Sequence, residues 1–580
     1  MKNIPVKPAL LSAVIASLVL SACHASRDEA ALATIGTTSP VQSQTDSQLD
    51  PGGSNARQIE QIQVAAEAAR FERMELDMSA SGLAISNQAP MLATSRAGMP
   101  HDAAFWPGHG SENYADFDDS GIKRVIENAV STFSIDVDTG SYSNMRRFLN
   151  QGSLPPVDAV RAEELINYFA YDYPVEATNA PFSFITEIST SPWNAGKHLV
   201  HIGIQANEPG NTEQLHSNLV FLVDVSGSMA SPDKLELLKT SLKMLSRQLS
   251  AEDSVALVVY AGASGVVLEP TAGNETRLIS AALDRLQAGG STNGAAGIEL
   301  AYALAEDAFI AEGINRVILA TDGDFNVGMS DVDALKDLIK EKRESGISLT
   351  TLGFGTGNYN DQLMEQLADT GNGNYAYIDN INEARKVLVD ERHSTLQTVA
   401  RDVKIQIEFN PHVVAEYRLV GYENRQLARE DFNNDRVDAG EIGAGHTVTA
   451  IYEIALLDSD SLSVDPLRYD NESISAGGNS EELAFLKLRY KEPDADVSLL
   501  LERALLVADI QENIDNTSDN YRFSAAVAGL AQLLRGSDQT SMLDYDTVLG
   551  LAQNARGEDE FGYRSEFIQL VRNAQALSLN

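Results

Sequence analysis

Three short segments carry side-chain oxygens of the kind that bind a hard metal ion. The first is Asp224-Val-Ser226-Gly-Ser228, the second contains Thr292, and the third is Thr321-Asp322-Gly323. Mg²⁺ prefers six oxygen ligands and keeps part of its water, and neutral hydroxyls combined with one or two carboxylates suit that preference. The residue types therefore predict a site for Mg²⁺ or Mn²⁺, and the same oxygens also admit Ca²⁺. The candidate ligands are Asp224, Ser226, Ser228, Thr292 and Asp322.

These candidate ligands lie next to apolar runs that predict buried strands. Leu219–Val223 leads directly into Asp224, and Val317–Ala320 leads into Thr321 and Asp322. In open α/β sheets, ligands bind beyond the carboxyl ends of the strands, where the strand order reverses. If the strand order is the common 3-2-1-4-5-6, the first and fourth strands flank this reversal. The three loops are then expected to converge on one point.

Residues 215–398, which contain all of these segments, alternate short apolar runs with amphipathic helical stretches. Short apolar runs are typical of parallel strands that helices cover on both faces. Leucines recur at steps of three and four in the first helical stretch, at positions 235, 238, 242, 245 and 249. This spacing gives one apolar stripe on a helix. The alternation predicts a doubly wound, mostly parallel α/β sheet of Rossmann-like type.

The segments on either side show a different periodicity. Residues 117–214 combine helical stretches with alternating strands at Phe182–Ser189 and His198–Ala206, which predicts an α+β segment. Residues 399–580 are predicted to be β-rich first and helical afterwards. The helices are expected at about Ser498–Gln511, Tyr521–Leu534, Tyr545–Ala555 and Arg564–Ala576.

The ordered set of candidate ligands resembles the metal-ion-dependent adhesion site of von Willebrand factor A (VWA) domains. In that family the serines and the threonine contact the metal, and a carboxylate of the partner protein often completes the coordination. The flanking segments Ser131–Tyr142, Ile166–Phe169 and Gly557–Tyr563 resemble bacterial lipoproteins of the YfbK type. The resemblance implies a protein ligand that presents a carboxylate, and a role in adhesion or in envelope assembly or scaffolding.

The N-terminus has the features of a lipoprotein signal peptide. Lys2 and Lys7 precede the apolar stretch Ala9–Leu20, which is too short to span a bilayer but suits a signal-peptide core. The Leu20-Ser21-Ala22-Cys23 sequence that follows resembles the bacterial lipobox, in which the cysteine is acylated and becomes the mature N-terminus. Cys23 is the only cysteine of the chain. Residues 1–23 are therefore predicted to be a cleaved signal peptide.

Lipidation at Cys23, for example by palmitate, predicts a protein anchored to a membrane of the bacterial cell envelope. His24 stands where an aspartate would retain many Gram-negative lipoproteins in the inner membrane, so by analogy the outer membrane is favoured. Residues 24–116 contain few large apolar side chains and are predicted to be a flexible tether.

The charge of the chain excludes some classes of partner. It contains 43 basic and 83 acidic residues, a net charge of −40. Such a chain repels phosphate backbones and anionic lipid surfaces, so neither nucleic acid nor bare membrane is an expected partner.

Hydrolysis is the alternative to binding, because the same ion could polarise a substrate as a Lewis acid. The motif loops contain no glutamate or histidine to act as a general base, so the chain is expected not to be an enzyme.

Two weaker acidic patterns have a plainer explanation. Asp431–Asp438 begins like a calcium loop but lacks the glycine and the closing glutamate, so an acidic hairpin loop is favoured. Asp136-Val-Asp138 is interpreted as the end of a surface strand rather than as a second metal site.

Overall fold

The computed structural model describes most of the chain from Glu112 onward. The chain divides into two units, Met1–Ala103 and Ala104–Asn580, and all described residues belong to the second. The predicted signal peptide, Cys23 and nearly all of the predicted tether lie outside the described residues. Among the described helices, none is long and apolar enough to cross a membrane. The described residues are 112–579, except 176–179, 208–214, 292–293, 324–331, 466, 468–479, 494 and 541.

The segment before the central module combines strands and helices, as its mixed periodicity predicts. The two longest strands form an antiparallel hairpin, with Ile188 opposite Val200. The described elements are β1 (Lys123–Arg124), β2 (Val130–Ser134), α1 (Gly140–Asn150), α2 (Ala162–Asn167), β3 (Phe182–Ser191) and β4 (Asn194–Ala206).

The central module is a six-stranded sheet between two layers of helices, which confirms the predicted doubly wound fold. Its elements are β5 (Ser217–Asp224), α3 (Leu237–Ser246), β6 (Ser254–Tyr260), β7 (Ser264–Ala272), α4 (Thr276–Asp284), α5 (Gly294–Asp307), β8 (Ile314–Thr321), α6 (Val332–Glu344), β9 (Ser348–Phe354), α7 (Asp361–Thr370), β10 (Tyr375–Ile378), α8 (Ile381–Arg385) and α9 (Arg392–Leu396). The strand order is β10-β9-β8-β5-β6-β7. All neighbours are parallel except β7, which is antiparallel to β6. This is the order 3-2-1-4-5-6 in the module's own strand numbering.

Every residue of β5 is buried, because the strand lies in the middle of the sheet. Leu219 and Phe221 pack in the same core as Leu238 of α3, whereas Val220 and Leu222 pack in the core that contains Ile298 of α5. Because successive side chains of a strand point to opposite faces, β5 contributes apolar side chains to the cores on both sides of the sheet. Asp224, a polar residue, follows these apolar side chains at the carboxyl end of the strand.

The segment after the module is β-rich first and helical afterwards, as predicted. Its elements are β11 (Thr398–Phe409), β12 (Val414–Val420), β13 (Ile442–Gly443), β14 (Thr447–Leu456), β15 (Glu482–Lys491), β16 (Leu499–Leu506), β17 (Ile510–Gln511), α10 (Asp519–Arg535), α11 (Tyr545–Asn554) and α12 (Tyr563–Ser578). The prediction of a helix at Ser498–Gln511 is wrong. This stretch forms β16 and β17, because β16 pairs along its length with β15.

The strands before and after the module belong to the same two sheets. One sheet has the order β1-β12-β14-β4-β3-β17, and the other combines β13-β11-β15-β16 with β2, which pairs with β11. The two sheets share one apolar core, in which Val200 and Ile202 of the first accompany Ile405 and Leu486 of the second. The central module is therefore inserted into a single β-sandwich, between β4 and β11.

A buried arginine joins all three parts of the chain. Arg146 of α1, whose side chain is 1% exposed, donates to Glu383 of α8 at 2.8 Å and to Glu566 of α12 at 3.1 Å. It also pairs with Asp379, which follows β10. Because isolated buried charges are costly, these ion pairs fix the module relative to the helices around it.

Candidate metal centre

Asp224 ends β5 and is fully buried. Its Oδ1 accepts a hydrogen bond from the backbone N–H of Ser226 at 2.8 Å. Its Oδ2 accepts hydrogen bonds from the hydroxyls of Thr321 at 2.9 Å and Tyr260 at 3.3 Å. The carboxylate is thus held by donors from three neighbouring strand ends, β5, β6 and β8. None of these donors carries a positive charge.

Ser226 and Ser228 bring two hydroxyl oxygens to the same edge. Their Oγ atoms lie 2.9 Å apart, and Ser226 is 2% exposed whereas Ser228 is half-buried. The loop that carries them is fixed to the loop before α5, since the N–H of Gly227 donates to the carbonyl of Gly290 at 3.0 Å. The N–H of Gly289 in turn donates to the carbonyl of Val225 at 2.8 Å.

Thr292 lies outside the described residues, so its part in the site stays a prediction. The backbone bonds of Gly289 and Gly290 show that the chain just before it borders the Ser226 loop. Asp224, Ser226, Ser228 and the neighbouring Asp322 are described, and they all stand at the carboxyl edge of the sheet.

Asp322 follows β8 and is 1% exposed. Its Oδ2 accepts a hydrogen bond from Nζ of Lys234 at 2.8 Å, which makes a buried ion pair. The next residue, Gly323, has φ +84°, and a Cβ there would lie 2.5 Å from the backbone N of Asn360. A glycine is therefore required for the chain to turn between Asp322 and the loop before α7.

Electrostatics favour a cation beside Asp224. Burial raises the pKa of the Asp224 carboxyl from 3.8 to about 6, although hydrogen bonds from Ser226 and Thr321 oppose that rise. A carboxylate removed from water becomes more stable when a positive charge lies nearby. The donor set, two carboxylates and two hydroxyls among the described residues, suits a hard divalent ion, so the residues fit the metal that the sequence predicts.

Sequence reasoning missed Lys234 and Tyr260 as parts of this site. It placed Thr321 in the third segment but did not assign it the hydrogen bond to Asp224 that the structure shows. Tyr260 ends β6 next to β5 in the sheet, so strand order alone places it near Asp224. Lys234 gives no such signal, because a lysine at the start of an amphipathic helix is usually solvated.

A second acidic group lies outside this site, and the interpretation of Asp136 and Asp138 as a surface strand end is wrong. Both are buried, at 4% and 3% exposure. Carboxylate oxygens of Asp136, Glu164 and Glu365 lie within 4.8 Å of one another. Arg425 pairs with Asp136 at 3.1 Å, Asp138 at 3.4 Å and Glu365 at 3.2 Å. Its guanidinium supplies counter-charge there, so this cluster ties the sandwich to the module.

Comparison with protein families agrees with the fold. The model of the von Willebrand factor type A domain matches residues 218–390, and a von Willebrand factor model matches residues 109–201. The central module is thus a VWA domain, a class that indicates a protein–protein interaction or adhesion-type function. A third model, described as uncharacterized protein YfbK, C-terminal, matches residues 394–577.

The relatives define the family more narrowly. The chain is 47% identical over 478 residues to the uncharacterized protein YfbK of Escherichia coli strain K12, covering 81% of this chain and 82% of that protein. The chain belongs to the YfbK family. It is also 28% identical over 385 residues to the inter alpha-trypsin inhibitor heavy chain 4 of Mus musculus, covering 64% of this chain and 38% of that protein.

Among solved structures, one similar chain is a von Willebrand factor type A protein from Catenulispora acidiphila. It has a TM-score of 0.39 and 16% identity, and the match covers 69% of this chain and 92% of that chain.

Proposed function

We propose that the VWA domain holds a divalent cation at its carboxyl edge and uses it to bind an acidic group of a protein partner. The observation that carries this proposal is the state of Asp224. It is a fully buried carboxylate whose described hydrogen-bond donors are all neutral, and burial raises its pKa to about 6. Such a group is most stable beside a cation, and none of its described hydrogen-bond donors supplies one.

The ligands would be Asp224, Ser226, Ser228 and Asp322, with Thr292 as the fifth on the basis of sequence. Mg²⁺ or Mn²⁺ fits this oxygen set, and Ca²⁺ remains the alternative. When bound, the ion supplies an electrophilic position that accepts a carboxylate oxygen. The chain's own residues hold that position at the carboxyl edge of the sheet, where open α/β folds bind their ligands, and Ser228 is the partly exposed member of the described set.

Binding is favoured over hydrolysis by the groups around Asp224. Among the described residues, two side chains donate hydrogen bonds to Asp224, those of Thr321 and Tyr260. Only Tyr260 is titratable, and burial raises the pKa of this phenol well above its usual range. A phenol that stays protonated cannot act as a general base near neutral pH. We therefore expect no metal-dependent turnover of peptide, ester or phosphate substrates by the mature chain.

The location is proposed from the sequence alone. Lipidation of Cys23 would place the protein at the bacterial cell envelope, at the outer membrane rather than the inner. The tether would let the described unit reach its partner at some distance from the lipid, in adhesion or in envelope assembly.

Affinity capture with the full-length protein from detergent-solubilised membranes tests the proposal. A partner should be retained with Mg²⁺, released by EDTA, and lost from Asp224→Ala, which calorimetry should also show to bind no Mg²⁺. Asp253→Asn is the matched control, because Asp253 is buried at the opposite edge of the same sheet and accepts the N–H of Ser217 at 2.7 Å. Equal Mg²⁺ binding by Asp224→Ala and the parent would show that the site is elsewhere.

A further inference from the structure

Lys234 is a cation built into the edge that we propose binds the metal. It lies in the turn Pro232–Glu236 between the Ser228 loop and α3. Its Nζ donates to Oδ2 of Asp322 at 2.8 Å, and the two side chains are 7% and 1% exposed. Since the pair is almost fully removed from water, screening by solvent ions is weak.

The position of Lys234 is set by the backbone of a neighbouring strand. Its side chain passes over Gly355, the residue that follows β9, where a Cβ would lie 2.2 Å from Cε of Lys234. Gly355 also has φ +75°, so glycine is favoured there for two independent reasons. The lysine therefore reaches Asp322 through a groove that only a missing side chain leaves open.

The charges of the described site change when Lys234 is counted. Asp224 and Asp322 together contribute two negative charges, and the serine hydroxyls contribute none. Among these described residues, a divalent ion would balance the two carboxylates if the lysine were absent. With the lysine, the described residues and the ion together keep one positive charge.

We infer that Lys234 determines the ligand preference of this site. Its ammonium group weakens the attraction for the metal and adds one positive charge to the described residues of the loaded site, which then total +1. That charge selects an oxygen ligand carrying one negative charge, which is the charge of a carboxylate. The inference rests on the proposed metal site and adds to it the residue that favours anionic over neutral oxygen ligands.

The alternative is that Lys234 only orients the carboxylate of Asp322. The two roles predict opposite effects on metal affinity. Removing an orienting group loosens a ligand and weakens metal binding, whereas removing a repelling charge strengthens it. At the effective dielectric of a protein surface, a unit charge within several ångströms of a divalent ion changes affinity by roughly tenfold or more.

The experiment compares Mn²⁺ affinity by calorimetry in the mature chain, using the parent, Lys234→Gln and Lys234→Arg. Glutamine removes the charge and carries an amide donor on a side chain one bond shorter than lysine, and arginine keeps the charge. We expect Lys234→Gln to bind Mn²⁺ roughly tenfold more tightly, and Lys234→Arg to bind within about threefold of the parent. Lys239→Gln is the control, because Lys239 is also buried and pairs with Glu236 at 2.8 Å one turn away.

A second measurement tests the ligand preference with a small carboxylate. Bound Mn²⁺ should accelerate the ¹³C relaxation of labelled acetate in the parent, and this enhancement should fall several-fold in Lys234→Gln at equal metal occupancy. Circular dichroism establishes that each variant is folded before either measurement.

The outcomes separate the two proposals. If the parent binds no Mn²⁺, or if Asp224→Ala binds it as well as the parent does, the proposed metal site is refuted. The role of Lys234 is then refuted with it. If the parent binds Mn²⁺ but Lys234→Gln binds it equally or more weakly, only the role of Lys234 is refuted. Unchanged acetate relaxation in Lys234→Gln would likewise refute the ligand preference while leaving the metal site intact.

Discussion

Replacing Asp224 by asparagine should make the metal-free protein more stable while abolishing its response to Mg²⁺. Asparagine has nearly the same shape as aspartate and carries no charge. Its oxygen can still accept the N–H of Ser226, and its amide can donate to the hydroxyls of Thr321 and Tyr260 if these rotate. The substitution therefore removes mainly the buried charge.

The magnitude follows from the pKa of Asp224, which burial raises from 3.8 to about 6. A carboxyl whose pKa is higher in the folded state disfavours folding once it ionises, so this effect grows as pH rises from about 4 to 6. At about 1.4 kcal/mol per pKa unit, the penalty on the metal-free protein is about 3 kcal/mol at pH 8 and roughly half of that at pH 5. Imperfect hydrogen bonding by asparagine costs about 1 kcal/mol, which leaves a net stabilisation of about 2 kcal/mol at pH 8.

The assay is urea unfolding of the mature chain, dialysed free of metal, at pH 5 and pH 8. The gain of Asp224→Asn over the parent should be larger at pH 8 than at pH 5. Saturating Mg²⁺ should stabilise the parent and leave the variant unchanged. A metal-free variant that is less stable than the parent at pH 8 would refute the reasoning, as would equal stabilisation of both by Mg²⁺.

Three further predictions concern other parts of the chain. Arg146→Met should lower the free energy of unfolding by about 3–5 kcal/mol in urea, since it leaves buried carboxylates unpaired; Arg124→Met, at a more exposed pair, should cost less than about 1 kcal/mol. Burial raises the pKa of Glu163 to about 8, so the free energy of unfolding of the parent should fall as pH rises from 5 to 9. The free energy of unfolding of Glu163→Gln should fall less over the same range. Cys23→Ser should leave the membrane fraction and take up no labelled palmitate; unchanged fractionation and labelling would contradict the lipid anchor.

The VWA fold could be predicted because its sheet is buried on both faces. Leu219–Val223 lies within β5, and Val317–Ala320 lies within β8. Continuous apolar runs of this kind have few alternatives to a parallel strand when helical stretches separate them. Each run ends just before a candidate ligand, so the same pattern also predicts that Asp224 and Asp322 lie at the carboxyl edge of the sheet.

The parts that could not be predicted depend on contacts distant in sequence. Residues 498–511 are rich in leucine and alanine, which favour helices, yet pairing with β15 overrides that preference. Asp136 and Asp138 look like surface residues because the arginine that pairs with both, Arg425, stands almost 290 residues later. Lys234 belongs to the same class, since its partner Asp322 lies on another strand end.

Insertion of the VWA domain between β4 and β11 favours one order of assembly. During synthesis β4 appears long before its partner β14, so one edge of the β3–β4 hairpin stays unpaired while the whole module is being made. The module is built from contacts nearer in sequence, and such structures close faster than sheets assembled from distant strands. We therefore expect the module to fold first and the sandwich to close around its two ends last. A chain cut short after Leu396 would keep a folded module beside strands with exposed edges, which are prone to aggregate.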